Sequence, residues 1–248
     1  MELKTVLHKI RFYRYLMAFL LVAIAIFGFI VVGRLIQSDP TIMAFDRAGY
    51  KAIHEGPHHQ VLDILIKPVN FNFLPWGGTM PSYFYFMVGF SLLYLLIFNR
   101  KSFGWALLAI ILGSFIVMKV ASVHWDYVQR DRPFITLPNT VDEIGQRAWK
   151  EWNSFPSGHA RETTLYATLI AAFIPAIRIY LIAFVLFVAY SRVYLGAHFP
   201  TDVISGVIIG FLVAKATLIL VGELQVINKL RKGKTSVTDQ NPGQIDTK

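Results

Sequence analysis

Long apolar blocks alternate along the chain with short polar connectors. A run of about 18 or more apolar residues reads as a membrane-crossing helix. Tyr15 to Gly33 is the clearest such run, and Ser82 to Phe98, Phe103 to Val123, Thr164 to Ile177, Ile179 to Leu195 and Val203 to Val221 supply five more. The fourth is short and is interrupted at Pro175. The pattern predicts an all-α, integral membrane six-helix bundle over residues 1–222, followed by a basic segment and a disordered tail over 223–248. Between the first two spans, Asp46 to Ile53 and Val61 to Ile66 read as short amphipathic helices at the membrane surface, with Trp76 and Tyr83 in an aromatic belt. That loop shows no chemistry. Its adjacent His58 and His59 do not share a helix face and lack a carboxylate at ligand spacing, so a solvated pair is expected.

Composition agrees: 55% of residues are hydrophobic and 16% charged, which excludes an ordinary soluble domain. The basic start, with Lys4, Lys9, Arg11 and Arg14, would suit a signal peptide. The apolar core that follows is too long for one, and no small-x-small cleavage site precedes Arg34, so a retained first helix is expected. Six spans put both termini on one side, together with Arg100, Lys101, Arg178, Lys229, Arg231, Lys232 and Lys234. The loops near 35–80 and 124–158, which carry Asp39, Asp46, Glu55, Asp63, Asp126, Asp131, Asp142, Glu143 and Glu151, fall on the other. The positive-inside rule therefore places the termini in the cytoplasm and those loops outside. The net charge of +9 follows from this arrangement and is not read as nucleic-acid binding, and basic groups beside the membrane also attract anionic lipids. With no organelle signal in view, a bacterial plasma membrane is the expected location. The chain has no cysteine, which removes disulfides and thiolate metal sites.

Two polar stretches flank the fourth and fifth spans. In Ser154-Phe155-Pro156-Ser157-Gly158-His159, a tight backbone passes into a helix whose first N–H groups and positive dipole end suit an anion. In Ser191-Arg192 with His198 and Asp202, the four-residue spacing lets a carboxylate meet an imidazole, fixing its tautomer and making the other nitrogen a better nucleophile. Singly, Arg192 also reads as a snorkelling interfacial arginine and Asp202 as a helix cap. Neither reading explains why all these groups share one membrane face, where charge is costly and usually functional. A third stretch, Arg130-Asp131-Arg132-Pro133, offers Arg132 for bidentate contact with phosphate oxygens, with Pro133 fixing its exit from the helix.

These three elements, in this order on six spans, resemble the type 2 phosphatidic acid phosphatase family, whose core is shared with the vanadium haloperoxidases. The family pattern is Lys-x6-Arg-Pro, Pro-Ser-Gly-His and Ser-Arg-x5-His-x3-Asp. The last two match without exception at Pro156 to His159 and at Ser191, Arg192, His198 and Asp202. The resemblance implies catalysis by His198, His159 and Asp202. His198 attacks phosphorus to give a phosphohistidine and Asp202 orients it. His159 protonates the leaving oxygen and then activates water. Arg132, Ser157, Gly158 and Arg192 hold the phosphoryl oxygens, and neither a metal nor another cofactor is required.

The first motif departs from the pattern: seven positions before Arg132 stands Trp125, where the family has lysine. Lys119, His124, Arg130 and Arg161 are the nearby candidates to replace its charge. The implied activity is lipid phosphate or diphosphate hydrolysis at the outer leaflet. Phosphatidic acid, phosphatidylglycerol phosphate, polyprenyl diphosphate and lipid A phosphate are the substrates that the resemblance suggests, with membrane lipids as the surroundings. A phosphotransferase using the same phosphohistidine and a non-catalytic lipid-phosphate binder are the alternatives. No partner is implied beyond the lipids, and nucleic acid is not one.

Overall fold

The structure is a computed structural model that describes residues 2–56, 60–66, 82–137 and 154–238. It is helical, with no strand among the described residues. The elements are α1 (Glu2–Ala23), a π-helical turn (Ile24–Gly28), α2 (Phe29–Ser38), α3 (Pro40–His54), α4 (Gln60–Ile66), α5 (Ser82–Phe98), α6 (Arg100–Tyr127), the short α7 (Pro133–Thr136), α8 (Gly158–Phe173), α9 (Arg178–Tyr194) and α10 (Pro200–Thr238).

All six expected spans are helical. Four are long and apolar enough to cross a membrane: His8–Ser38, Arg100–Tyr127, Pro175–Tyr194 and Pro200–Lys229. The other two, α5 and α8, are 17 and 16 residues long. The weak hydrophobicity of α8 has a structural cause. It is the central helix, in contact with α5, α6, α9 and α10, and ten of its sixteen residues are buried. A helix surrounded by protein need not be apolar toward lipid, and its hydroxyls are satisfied inwardly: Thr163 Oγ1 donates to the His159 carbonyl (2.6 Å) and Thr164 Oγ1 to the Ala160 carbonyl (2.8 Å).

Small residues set the closest helix pair. Gly206 and Gly210, one turn apart on α10, lie against the first turns of α8. A methyl group on Gly206 would sit 2.6 Å from the Ser157 carbonyl oxygen, and one on Gly210 would overlap the carbonyl of Arg161. This small-xxx-small approach brings the starts of α8 and α10 together at one end of the bundle. At the opposite end the first and last helices meet. Glu223 of α10 is buried and accepts from Arg14 of α1, with Arg11 Nε at 3.7 Å.

Three readings of the first loop change. The helix expected over Asp46 to Ile53 spans Pro40–His54, begun by Asp39, whose side chain accepts from the N–H groups of Thr41 and Ile42. It is no surface helix on its inner face, because Asp46 is fully buried. Tyr83 points inward, bonding Thr163 Oγ1 at 3.0 Å and meeting the Phe184 ring edge-on, so it is not part of an interfacial belt. Trp76, His58 and His59 lie outside the described residues, as do positions 239–248 of the expected tail; Thr235 to Thr238 continue α10.

Candidate active site

The end of α6, the loop before α8, the end of α9 and the start of α10 meet at one face, and each positions one polar group. At Arg132 the chain leaves its turn in extended conformation and Pro133 opens α7, so the guanidinium is directed sideways and its Nη1 donates to the Ala197 carbonyl (3.0 Å). The 154–157 loop is pinned at both ends: Ser154 N–H donates to the Arg130 carbonyl and Ser157 N–H to the Asp202 carbonyl, each at 3.0 Å. Ser157 occupies the N-cap position of α8 but makes no side-chain cap, and its buried hydroxyl has no partner. Gly158 and His159 open the helix, where N–H groups are free by geometry.

Arg192 lies in the last turn of α9, 1% exposed, with Nε and Nη2 unpartnered. Its carbonyl accepts from both Ala197 N–H (3.1 Å) and His198 N–H (3.3 Å), folding the chain into a tight corner. Gly196 makes that corner possible at φ 74°, and a Cβ there would press on Tyr50 and His54. The corner delivers His198 into the site.

His198 departs from the expected orientation. Its Nδ1 bonds the main-chain carbonyl of Ser154 at 2.8 Å, whereas the nearer oxygen of Asp202 is 4.0 Å away. Because a carbonyl can only accept, Nδ1 carries the proton and Nε2 carries the lone pair. Burial, and then the charges of Arg132 and Arg192, push the His198 imidazole well below the ordinary value of 6.5, so it is neutral at physiological pH.

Asp202 is fully buried and acts through its neighbours. At the third position of α10 it reaches back to the N-cap amide of Phe199 (2.9 Å), half of a capping box. It also accepts from Ser154 Oγ (2.6 Å) and Arg130 Nη1 (2.5 Å). The carboxylate therefore secures the Ser154 loop whose carbonyl holds His198.

Two members of this assembly have a role that the sequence did not reveal, Arg130 having stood only as a candidate to replace the missing lysine and Asp46 only as a loop carboxylate. Arg130 spans two carboxylates, donating through Nη1 to Asp202 and through Nη2 to Asp46 (2.6 Å), with its guanidinium 4.5 Å from the centre of the Phe199 ring. Burial opposes its charge, but Asp202 and Asp46 outweigh that and hold it above the ordinary arginine value. Asp46 also accepts from the Thr201 amide (2.9 Å) and hydroxyl (2.5 Å), tying α3 to the first turn of α10. No local sequence signal marks Asp46; its one clue is a carboxylate within an otherwise amphipathic helix.

The candidates to replace the missing lysine separate clearly. Trp125 is 39% exposed on the outer surface of α6. Lys119 is also exposed, its ammonium 5.8 Å from the Phe115 ring. His124 turns to the first span and donates through Nε2 to the Ile26 carbonyl in the π-helical turn (3.2 Å). Arg130 is engaged by Asp46 and Asp202, which leaves Arg161.

With this geometry in place, comparison with known proteins is direct. The PAP2 superfamily model matches residues 102–225, half of the chain, and the protein belongs to that superfamily. A lipid A 1-phosphatase of Rhizobium johnstonii is 33% identical over 79 residues, 32% of each chain. A decaprenylphosphoryl-5-phosphoribose phosphatase of Mycolicibacterium smegmatis is 39% identical over 101 residues, 40% of this chain and 51% of that one. The chain thus spans about a third to a half of the length of the curated relatives it matches. Among solved structures, Aquifex aeolicus LpxE is similar with a TM-score of 0.50 and 26% identity, covering 68% of this chain and 92% of that one. The first transmembrane PAP2 type phosphatidylglycerolphosphate phosphatase from Bacillus subtilis shares the fold at a TM-score of 0.57 and 21% identity, covering 86% and 96%. Fold and family together define an integral membrane protein.

Proposed function

We propose that the chain is a metal-independent lipid phosphate or diphosphate phosphatase that works through a phosphohistidine on His198. The observation that carries this reading is the Nδ1 bond of His198 to the Ser154 carbonyl, which leaves Nε2 unprotonated on a neutral, buried ring among arginines. Nε2 attacks phosphorus in line, the bond from phosphorus to the lipid oxygen breaks, and His159 gives its proton to that oxygen. His159 then takes a proton from water, which attacks the phosphohistidine; the P–N bond breaks and phosphate leaves. Arg132, Arg192, the Ser157 hydroxyl and the Gly158 amide region hold the non-bridging oxygens while charge shifts among them. The orphaned donors of Arg192 and Ser157 support that role, since a buried donor without a partner is costly until a ligand completes it. Asp202 positions the Ser154 loop and neutralises Arg130.

The relatives named as phosphatases of lipid A and of decaprenylphosphoryl-phosphoribose support a lipid phosphate substrate. The site lies at the bundle end away from Arg11, Arg14, Arg100 and Arg178, which by the positive-inside rule favours the outer leaflet of a bacterial plasma membrane. The test is phosphate release by purified protein from phosphatidic acid, phosphatidylglycerol phosphate, a polyprenyl diphosphate and lipid A phosphate. Release abolished by His198→Ala and insensitive to EDTA is the expected result. Equal turnover by native protein and His198→Ala would sink the mechanism.

A further inference from the structure

Arg161 is the buried cation that the mechanism above does not use. It lies in the first turn of α8, 2% exposed, two residues beyond His159. Helical side chains lean toward the N-terminus of their helix. Its guanidinium accordingly folds back over the first turn, with Nη2 3.7 Å from the position a Cβ would take on Gly158. Nη2 bonds Glu162 Oε1 at 3.1 Å, but Nε and Nη1 are buried without any partner. Burying two guanidinium donors unsatisfied is unfavourable unless a ligand meets them. The Ser157 hydroxyl and Nε and Nη2 of Arg192 are further buried donors without a partner at this end of the bundle. The charge of Arg161 bears on both His159 and His124, and α8 packs against α6.

We propose that Arg161 is a phosphate-binding residue, contacting phosphoryl oxygens through Nε and Nη1 and supplying from α8 the cation that Trp125 does not supply from α6. The proposal rests on the phosphatase reading and adds a named contact to it.

The experiment compares native protein, Arg161→Gln, Arg161→Lys, Glu162→Gln and His198→Ala in detergent, with a lipid phosphate as substrate and inorganic phosphate as competing ligand. Arg161→Gln is expected to lower kcat/KM by ~100-fold or more, as loss of one charge-stabilising donor does, and to weaken inhibition by inorganic phosphate. Glu162→Gln keeps the charge at 161 and should leave phosphate inhibition near native. Native kcat/KM and phosphate inhibition in Arg161→Gln overturn the proposal while leaving the phosphatase reading intact, provided His198→Ala is inactive. Equal loss of phosphate inhibition in Glu162→Gln and Arg161→Gln also overturns it, because the pair is then structural. If Arg161→Gln does not fold, Arg161→Lys decides: it retains charge without the planar fork, so weakened phosphate inhibition supports the contact and unchanged inhibition refutes it.

Discussion

The Nδ1 of His198 donates to the main-chain carbonyl of Ser154 across 2.8 Å. A main-chain acceptor cannot be removed by a side-chain change, so the tautomer of His198 depends on where the 154–157 loop sits. That position is set by the Ser154 hydroxyl, which donates to the Asp202 carboxylate, and by the Ser157 amide, which donates to the Asp202 main-chain carbonyl. The carboxylate thus governs the imidazole at one remove.

Asp202→Asn should therefore lower kcat far more than it raises KM. An amide can still accept from one neighbour, but it leaves Arg130 with one carboxylate instead of two and loosens the Ser154 loop. A fall of ~10²-fold or more in kcat is expected, by analogy with disturbed orienting groups elsewhere. Ser154→Ala keeps the carbonyl and loses one hydrogen bond, so it should cost ~1–3 kcal/mol of stability at most and leave the tautomer unchanged. Steady-state kinetics of both variants separate the two effects.

Asp46 lies on α3, well away in sequence from every motif, yet its loss should be severe. Asp46→Ala strips one partner from the buried Arg130 and the side-chain acceptor from the Thr201 amide. Breaking a buried ion pair on one side costs ~3–5 kcal/mol. Thermal unfolding in detergent should show that loss, and an Arg130/Asp46 double-mutant cycle should return a coupling well above that of a surface pair. A coupling near zero would remove Asp46 from the assembly.

The pH dependence follows from His198. Its folded value is depressed well below 6.5, so Nε2 keeps its lone pair as pH falls through the range where a free imidazole would protonate. The acid limb of kcat/KM due to this residue should accordingly lie well below pH 6.5. Stability runs with the same sign. Below about pH 6.5 the unfolded chain binds a proton at His198 that the folded chain does not, so this residue lowers stability as pH drops. His198→Gln should flatten that part of the stability profile.

Gly210→Ala tests the crossing of α8 and α10. The added methyl would meet the Arg161 carbonyl, a main-chain atom that cannot swing away. Overpacking of this kind costs ~1–3 kcal/mol. Because the displaced segment carries His159 and Arg161, activity should fall along with thermal stability. Gly104→Ala, on α6 with open space around it, is the control and should change neither.

Six helical runs were legible from hydropathy, four of them long and apolar enough to cross a membrane, because a helix in lipid must satisfy its own backbone and is marked by a run of apolar residues. Their limits were less so. The span read as Thr164 to Ile177 is α8 at Gly158–Phe173, because a helix wrapped by protein can carry His159, Arg161, Glu162 and four threonine or tyrosine hydroxyls without facing lipid. The motifs at Pro156 to His159 and Ser191 to Asp202 were visible because their chemistry depends on short spacings within a few turns. The structure brings His159, Arg192, His198, Asp202, Ser157 and Arg132 to one end of the bundle.

By itself, then, the sequence determined the helical class, the positions of the apolar helices and the polar groups that gather at one end of the bundle, all of which are written in local composition and spacing. The tertiary structure alone decided that Ser154, not Asp202, holds His198, that Asp46 and Arg130 stand behind the carboxylate, and that Arg161 rather than Lys119 or His124 faces the start of α8. The first two of these join residues far apart in the chain. They exist only because Gly206 and Gly210 let α10 close against α8 and because α3 folds back over the start of α10.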